Sequence, residues 1–500
     1  MSLGHLRWAA GAAVACVLVL VGAAGVGPAC GFPTVGWPPN DASPHDPGVL
    51  EGADAGPPRP LTLIGPPAGT RWERESSHLI TWDGPVPLPS ITAVIATSFD
   101  AGQTWRLHDT IDANARRYVW TLPASGPSRG RLRVSIGSYV AETVDVELEP
   151  TTRRNYSWTR VQDAMPCQIR DGAGALVHQG RMWLIGGWNP AIFPRGSAND
   201  VWSSSNGVTW TLEKPNTYLD ATFDRNRDFE GRHFAGYQVV GGKMWILGGD
   251  PVQGIYQTDV WSSVDGKAWT RVDRFPTETS TVYLPPTRDM PPFGLRSLHM
   301  TGALGGKLWI LGGQTNDAWV HPLWPGVPWA VFNDVWTSDD GASWSRVEPR
   351  SPTWEPRGIV SDCPVYKGRM WVIGGGVYDN HPIVPEHPRE FHADAWSTAD
   401  GATWTKAAEP PPFSPRQYHN VAVFDDRLWV VGGYNPLGNQ GDAWYTRDAV
   451  NWYRADPPPA YLARHAASVW VHGGAMYLGL GSAADAALKF VADMWRIAAE

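Results

Sequence analysis

The sequence predicts an all-β chain in which a small β-sandwich precedes a ring of six repeated four-stranded units. Three observations predict it. A strand carrying a basic residue, an aromatic and a glycine pair returns along the second two-thirds of the chain. A tryptophan strand follows each glycine pair, and a further tryptophan closes a tight turn after it. Short alternating apolar runs, bounded by turn residues, fill the segment ahead of the repeat.

The 500 residues allow two or three domains, and the abundance of Trp (29), Gly (54) and Pro (45) suits a turn-rich, β-rich exported chain. A net charge of −8 gives no electrostatic footprint for nucleic acid. Residues 1–29 read as an export signal: Arg7 supplies the positive start, and Ala9 to Val26 is apolar apart from glycines. Small residues lead to Cys30, the candidate lipid-bearing residue, which resembles the first residue of a mature bacterial lipoprotein. Gly27 and Pro28 depart from the usual pattern there. Lipidation, ordinary cleavage and an uncleaved anchor each put the folded part outside the cytoplasm, so the expectation is an envelope or extracellular location, with a lipid anchor at the outer membrane as the leading case. Residues 30–60 hold eight prolines among Gly, Asp and Ala and cannot build a core, so they read as a disordered, semi-extended tether. Cys167 and Cys363 either pair or sit as buried thiols; two cysteines are no disulfide framework.

Residues 61–150 alternate in short runs such as "HLITWDG", "ITAVIATSFD", "RYVWTLP" and "RLRVSIGS". Ile80-Thr81-Trp82, the hairpin Ser98 to Trp105 and the strand Tyr118 to Pro123 resemble an immunoglobulin-like module of secreted proteins. Such a module implies a spacer or presenter for another domain.

Residues 155–500 are dominated by self-similarity. "RMWLIGG" (181–187) returns as "KMWILGG" (243–249), "KLWILGG" (307–313), "RMWVIGG" (369–375) and "RLWVVGG" (427–433), with a degenerate "AMYLGLG" at 475–481. Each is followed by a strand-three tryptophan: Trp202, Trp261, Trp336, Trp396, Trp444 and Trp495. The pattern resembles the kelch repeat, which implies a β-propeller with one four-stranded blade per unit. The strand-four tryptophan sets the count at six: Trp158, Trp210, Trp269, Trp344, Trp404 and Trp452. Trp158 precedes the first glycine pair, so residues 157–161 are expected to complete the last blade and remove two open edges.

Between strands three and four stand "SSSNGVTW", "SSVDGKAW", "TSDDGASW", "STADGATW" and a divergent "YTRDAVNW". These resemble the Asp-box of sialidases and related propellers. The glycine supplies the positive φ of a tight hairpin, and Ser and Asp side chains bond turn N–H groups. Ser98 to Trp105 carries the same turn in the sandwich, so it reads as a folding device rather than as catalytic.

The Asp-box turns and the loops joining strands one and two are short, whereas the other connections are long and share one rim. Arg170, Arg232, Arg296, Arg416 and Arg464 lie 13 residues before the strand-two aromatic, with Arg357 displaced by one. In kelch proteins such arginines often line the ligand pocket, which makes these six candidate binding residues for a carboxylate or sulfate; the competing reading is that they bond neighbouring carbonyls. His233, His299, His419 and His465 follow closely as candidate acid–base or hydrogen-bonding groups; the competing reading is that each satisfies the backbone. Trp319, Trp324 and Trp329 form a candidate aromatic platform for a sugar or a partner. The loop bearing Asp379, His381, Glu386, His387 and His392 has metal-ligand residue types, but its spacing fits no zinc or calcium pattern, so no metal or other cofactor is expected.

The leading reading is an exported, surface-tethered, monomeric propeller that binds a glycan or protein through its long-loop face. The family resemblance also implies enzymes: a sialic-acid epimerase, a galactose-oxidase-like copper enzyme or a sialidase. No complete catalytic set for any of them is visible in the sequence.

Overall fold

The computed structural model describes residues 60–84, 88–192, 196–218, 220–224, 226–252, 255–273, 291–315, 329–360, 362–379, 386–483 and 490–500. The signal, nearly all of the tether with Cys30, and Trp319, Trp324 and His381 lie outside the described residues. The described chain is all-β apart from one short 3-10 turn at Ala113–Ala115.

After residue 155 the described residues form six four-stranded antiparallel arrays, the fifth continuing into strands of the preceding segment, and three two-stranded ribbons. Sheet I runs Gly174–His178, Arg181–Ile185, Val201–Ser204 and Thr211–Lys214. Sheet II runs Gly236–Val240, Lys243–Val252, Ile255–Ser263 and Thr270–Arg271. Sheet III comprises Met300–Leu304, Lys307–Leu311, Val335–Ser338 and Ser345–Arg346. Sheet IV comprises Val365–Tyr366, Arg369–Ile373, Ala395–Thr398 and Trp404–Lys406. In sheet V the order is Asn420–Phe424, Arg427–Val431, Ala443–Thr446 and Trp452–Arg454.

Sheet VI uses Ser468–His472, Ala475–Gly479 and Met494–Ala499, and its fourth strand is Tyr156–Gln162 from the other end of the repeat region. Trp158 pairs with Ile497 and Tyr156 with Ala499, so the N–H groups of the last strand find acceptors. The first strand of sheet VI packs on that of sheet I, which brings the last sheet against the first.

Tryptophans fill the space between sheets. Trp183, Trp245, Trp309 and Trp429 are buried, and each indole donates to the carbonyl five residues earlier in its own hairpin. That bond satisfies the one polar atom of a large apolar side chain. Cys167 and Cys363 are buried free thiols, and burial pushes Cys167 up to about 11.

The turns between strands three and four explain their own sequence. In sheet III, Ser338 Oγ accepts from Gly341 N–H at 2.8 Å, and Asp340 accepts from Ala342 and Ser343 N–H. Trp344 then donates its indole N–H to Gly341 O at 3.0 Å. In sheet II a Cβ on Gly266, at φ +71°, would stand 2.1 Å from the Trp183 ring of sheet I. The glycine is therefore required both for the turn and for close approach of the neighbouring sheet.

The segment before the repeat forms two sheets around one apolar core that includes Trp72, Ile80, Trp82, Ile95, Trp120 and Val134. One sheet pairs Thr62–Ile64 and Arg117–Thr121 with Ser77–Asp83. The other contains Arg71–Glu73, Thr92–Ser98, Arg106–Asp112, Arg129–Ile136, Tyr139–Glu142 and Val146–Glu149.

This module docks on the divergent turn of sheet V. Ser77 pairs with Trp452, and Glu73 N–H donates to Asn451 Oδ1 at 2.8 Å. Trp72 donates to Glu409 at 2.8 Å and stacks on His78, whose Nδ1 lies 3.1 Å from the same carboxylate and whose Nε2 lies 2.7 Å from Ser76 Oγ. Ala449, at φ 61°, and Asn451 depart from the other turns at the place where the second module sits.

Candidate functional site

The six arginines are buried, none more than 3% exposed, and each forms a two-pronged pair with an aspartate. The partners are Asp200, Asp259, Asp334, Asp394, Asp442 and Asp493. Arg232 is representative: it reaches Asp259 at 3.0 and 3.2 Å, Gly248 O at 2.9 Å and Glu230 O at 3.0 Å. The carboxylate also accepts the indole N–H of the strand-three tryptophan two residues later, as Asp259 does from Trp261 at 2.6 Å.

Every guanidinium is thus consumed inside its own sheet, and the geometry assigns these candidate binding residues to the frame. A carboxylate or sulfate ligand would have to displace a buried, bidentate aspartate. The aspartates were not singled out in the sequence, although D-x-W recurs there as "DVW", "DVW", "DVW", "DAW", "DAW" and "DMW".

The histidines divide by register. His299 and His419 lie three residues after their arginines and hydrogen-bond Leu247 O and Ile373 O of the preceding sheet at 3.0 and 2.8 Å. Burial lowers them to about 4 and about 3, so both are neutral backbone partners. His233 and His465 lie one residue after their arginines, where the chain bridges to the residue after each glycine pair, Asp250 and Ser482 respectively. The equivalent positions in the other sheets are Asp171, Ser297, Gly358 and Gln417.

These positions build a polar cluster at the axial end of the sheets. His233 stands between Asp171 at 3.3 Å and Asp250 at 3.4 Å, with all three side chains at most 4% exposed. Burial opposes its charge, but the two carboxylates outweigh that and raise it to about 9. The imidazole is therefore a cation clamped between anions at neutral pH.

His465 Nδ1–H donates to Asn439 Oδ1 at 2.7 Å, and burial lowers it to about 4. Arg389 contributes a second cation: it pairs with Asp379 at 3.2 Å, lies 4.0 Å over the Tyr378 ring and keeps 22% of its side chain exposed. Tyr434 borders both Arg389 and His465. Gln314 holds Tyr378 by a reciprocal pair of bonds, and Gln417 holds Val377 O and Glu390 O. A rigid frame therefore fixes polar groups from several sheets around one axial end.

The chain was compared with known proteins. No family model matches it. It is 26% identical over 210 residues to kelch domain-containing protein 2 of Bos taurus, which covers 40% of this chain. The chain spans about half of that relative, 46% of its length. The solved structure of YjhT matches with a TM-score of 0.47 and 12% identity, covering 68% of this chain and 97% of that one. The local sequence likeness supports a kelch-type propeller.

Other expected site residues fall elsewhere. Trp329 stacks on His387 with ring centroids 3.7 Å apart, so its face is already covered. Asp379 pairs with Arg389, His387 stacks on Trp329, and His392 lies 3.9 Å from Glu390. The layer beneath the cluster was also missed. Gly172, Phe234, Leu298, Ile359, Tyr418 and Ala466, each two residues after its arginine, all have positive φ between 45° and 65°. Phe234 N–H donates to Gly172 O, Gly172 to Ala466, Ala466 to Tyr418, Tyr418 to Ile359 and Ile359 to Leu298. Five of the six are not glycine, so no sequence signal marks them; the belt of hydrogen bonds imposes the conformation.

Proposed function

We propose that this chain is an exported, surface-tethered six-bladed kelch-type propeller that binds a glycan or a protein through its long-loop face. In this reading an immunoglobulin-like module, residues 61–150, presents the propeller, residues 155–500. An export signal at 1–29 and a Pro-rich tether at 30–60 place it in the cell envelope or outside the cell, with Cys30 as the lipid-anchored residue at the outer membrane. The protein acts as a monomer.

The observation that carries the reading is the axial cluster, in which Arg389, Tyr434 and His465 adjoin the clamped Asp171–His233–Asp250 group. Pre-organised polar groups beside aromatic faces suit recognition of a hydroxylated or acidic ligand at low ordering cost. Loops on a rigid scaffold are the usual place for such recognition.

A glycan array probed with the full chain and with Arg389→Ala tests it, and circular dichroism checks that the variant is folded. Glycan signals lost in the folded variant support the axial site, and their absence in the wild type points to a protein ligand. Signals unchanged in the variant place the ligand away from the axis and overturn the reading.

A further inference from the structure

The innermost strands of the sheets line a cavity of 340 Å3 that abuts the layer of positive-φ residues. The positive-φ residues Phe234, Leu298, Ile359 and Tyr418 line it at one end, and the innermost strands form its wall. Those strands alternate buried and half-exposed residues, and the half-exposed set that lines the cavity includes Ala175, Val177, Val239, Val423, Val469 and Val471. Water is held by polar partners, and these side chains offer none. The wall is instead suited to an apolar body.

Gln238, Asn420 and one carboxylate interrupt this wall. Among the lining residues Asp362 is the only acid, and no Lys or Arg accompanies it. Its Oδ1 accepts from Gln238 Nε2 at 2.8 Å and from Cys363 N–H at 2.8 Å. Its Oδ2 has no protein partner among the described residues. The other titratable groups around the cavity are His299, held neutral by burial, and the buried phenols Tyr237 and Tyr418. Burial raises Asp362 to about 7 against its two hydrogen bonds, which is the cost of an acid lacking a counter-charge.

The chain makes room for this residue. Arg357 stands 14 residues before Trp371, whereas Arg232 stands 13 before Trp245, so sheet IV carries one extra residue here. Pro364 follows, and the first strand shrinks to Val365–Tyr366 where the other five sheets have five residues. An inserted residue that re-aims a side chain is how bulges serve sites.

We infer that the cavity is a second binding site, for a small organic cation with an apolar body, whose ammonium group pairs with Asp362 Oδ2. The ligand cation supplies the missing counter-charge, and the aliphatic wall receives the body. This site is independent of the ligand proposed for the long-loop face.

Benzylamine is the probe, with benzyl alcohol as its uncharged counterpart, titrated into the full chain by calorimetry. At about pH 8 benzylamine should bind with a Kd of about 1 mM or tighter, and benzyl alcohol at least about tenfold more weakly. Asp362→Asn should weaken benzylamine by about tenfold or more without lowering Tm, since it removes an uncompensated charge and keeps the Oδ1 acceptor. Affinity for benzylamine should fall from about pH 8 to about pH 6 as Asp362 takes up its proton.

Val177→Phe, which fills the cavity and spares the carboxylate, should also abolish binding. If that variant does not fold, Val239→Phe, on the neighbouring innermost strand of the same cavity, makes the same test. No benzylamine binding at all, equal affinity of the two probes, or equal affinity in Asp362→Asn each means a solvent channel only and overturns the inference.

Discussion

Two neighbouring positions just ahead of the innermost strands behave oppositely. At the arginine position all six sheets carry the same residue, buried and paired to an aspartate that also holds a tryptophan. One residue later the six positions read Asp171, His233, Ser297, Gly358, Gln417 and His465. The first set must satisfy the same internal hydrogen bonds six times, so it repeats. The second set reaches the axial end, where no internal rule applies six times over. Repetition inside this chain therefore marks the frame, and divergence upon the repeated frame marks the candidate site.

The frame side of the comparison is broken most severely by removing its closure. Deleting residues 155–162 takes away the strand that pairs with Met494–Ala499, together with Trp158. Thermal unfolding should then shift down by about 10 °C or more, or lose its cooperativity. An unchanged Tm would mean that the chain ends are not coupled.

The next largest effect separates the two positions directly. Arg232→Ala strands Asp259 and its tryptophan in the interior and should cost about 3–5 kcal/mol in urea unfolding. His465→Ala, one register step outward in another sheet, should cost no more than about 1–2 kcal/mol. Equal costs would erase the distinction between frame and site.

Stability should also report the clamped His233. Its folded pKa is raised to about 9, so its contribution is full below the unfolded value near 6.5 and is lost as pH rises through about 9. Wild-type stability should fall by up to about 3 kcal/mol across that interval, and His233→Gln should flatten the profile. Asp362 has the opposite identity but a similar slope: an acid raised to about 7 lowers stability as pH climbs from about 4 to about 7. Asp362→Asn should therefore stabilise the chain at about pH 8 and leave it unchanged at about pH 3.

The smallest effect concerns the turns. Gly266→Ala places a Cβ against Trp183 and should cost about 1–3 kcal/mol. Gly180→Ala, at φ +69° with open space around it, should cost about 1 kcal/mol. Matching values would remove the packing role of the turn between strands three and four.

Much of the frame was legible because it repeats. The period of the glycine pairs and the tryptophans identified the strands and their order. The pairing of residues 157–161 with the last strand could be read because Trp158 stood outside its unit. The site was less legible. The arginines were visible, but their partners are 26 to 38 residues away in sequence, as with Asp442 from Arg416 and Asp334 from Arg296. Their role therefore depended on where the third strand folds back. The difference between His233 and His299 is a two-residue register shift relative to the arginine, which was readable only once that arginine was recognised as an internal anchor. The divergent "YTRDAVNW" turn was visible as an exception, yet its reason is the docked module, which comes from residues 61–150.

By itself the sequence determined the strand pattern, the repeat and the turns, because alternation, positive φ and tight hairpins are local demands that residue types meet directly. Only the tertiary structure decided which polar residues face inward, which meet at the axis and which line the cavity. Asp362 shows why: a single inserted residue and one proline turn an ordinary aspartate into a half-buried acid whose Oδ2 meets no described protein group. That outcome depends on the neighbouring strands that supply Gln238 and the aliphatic wall, and those contacts form only when distant segments pack.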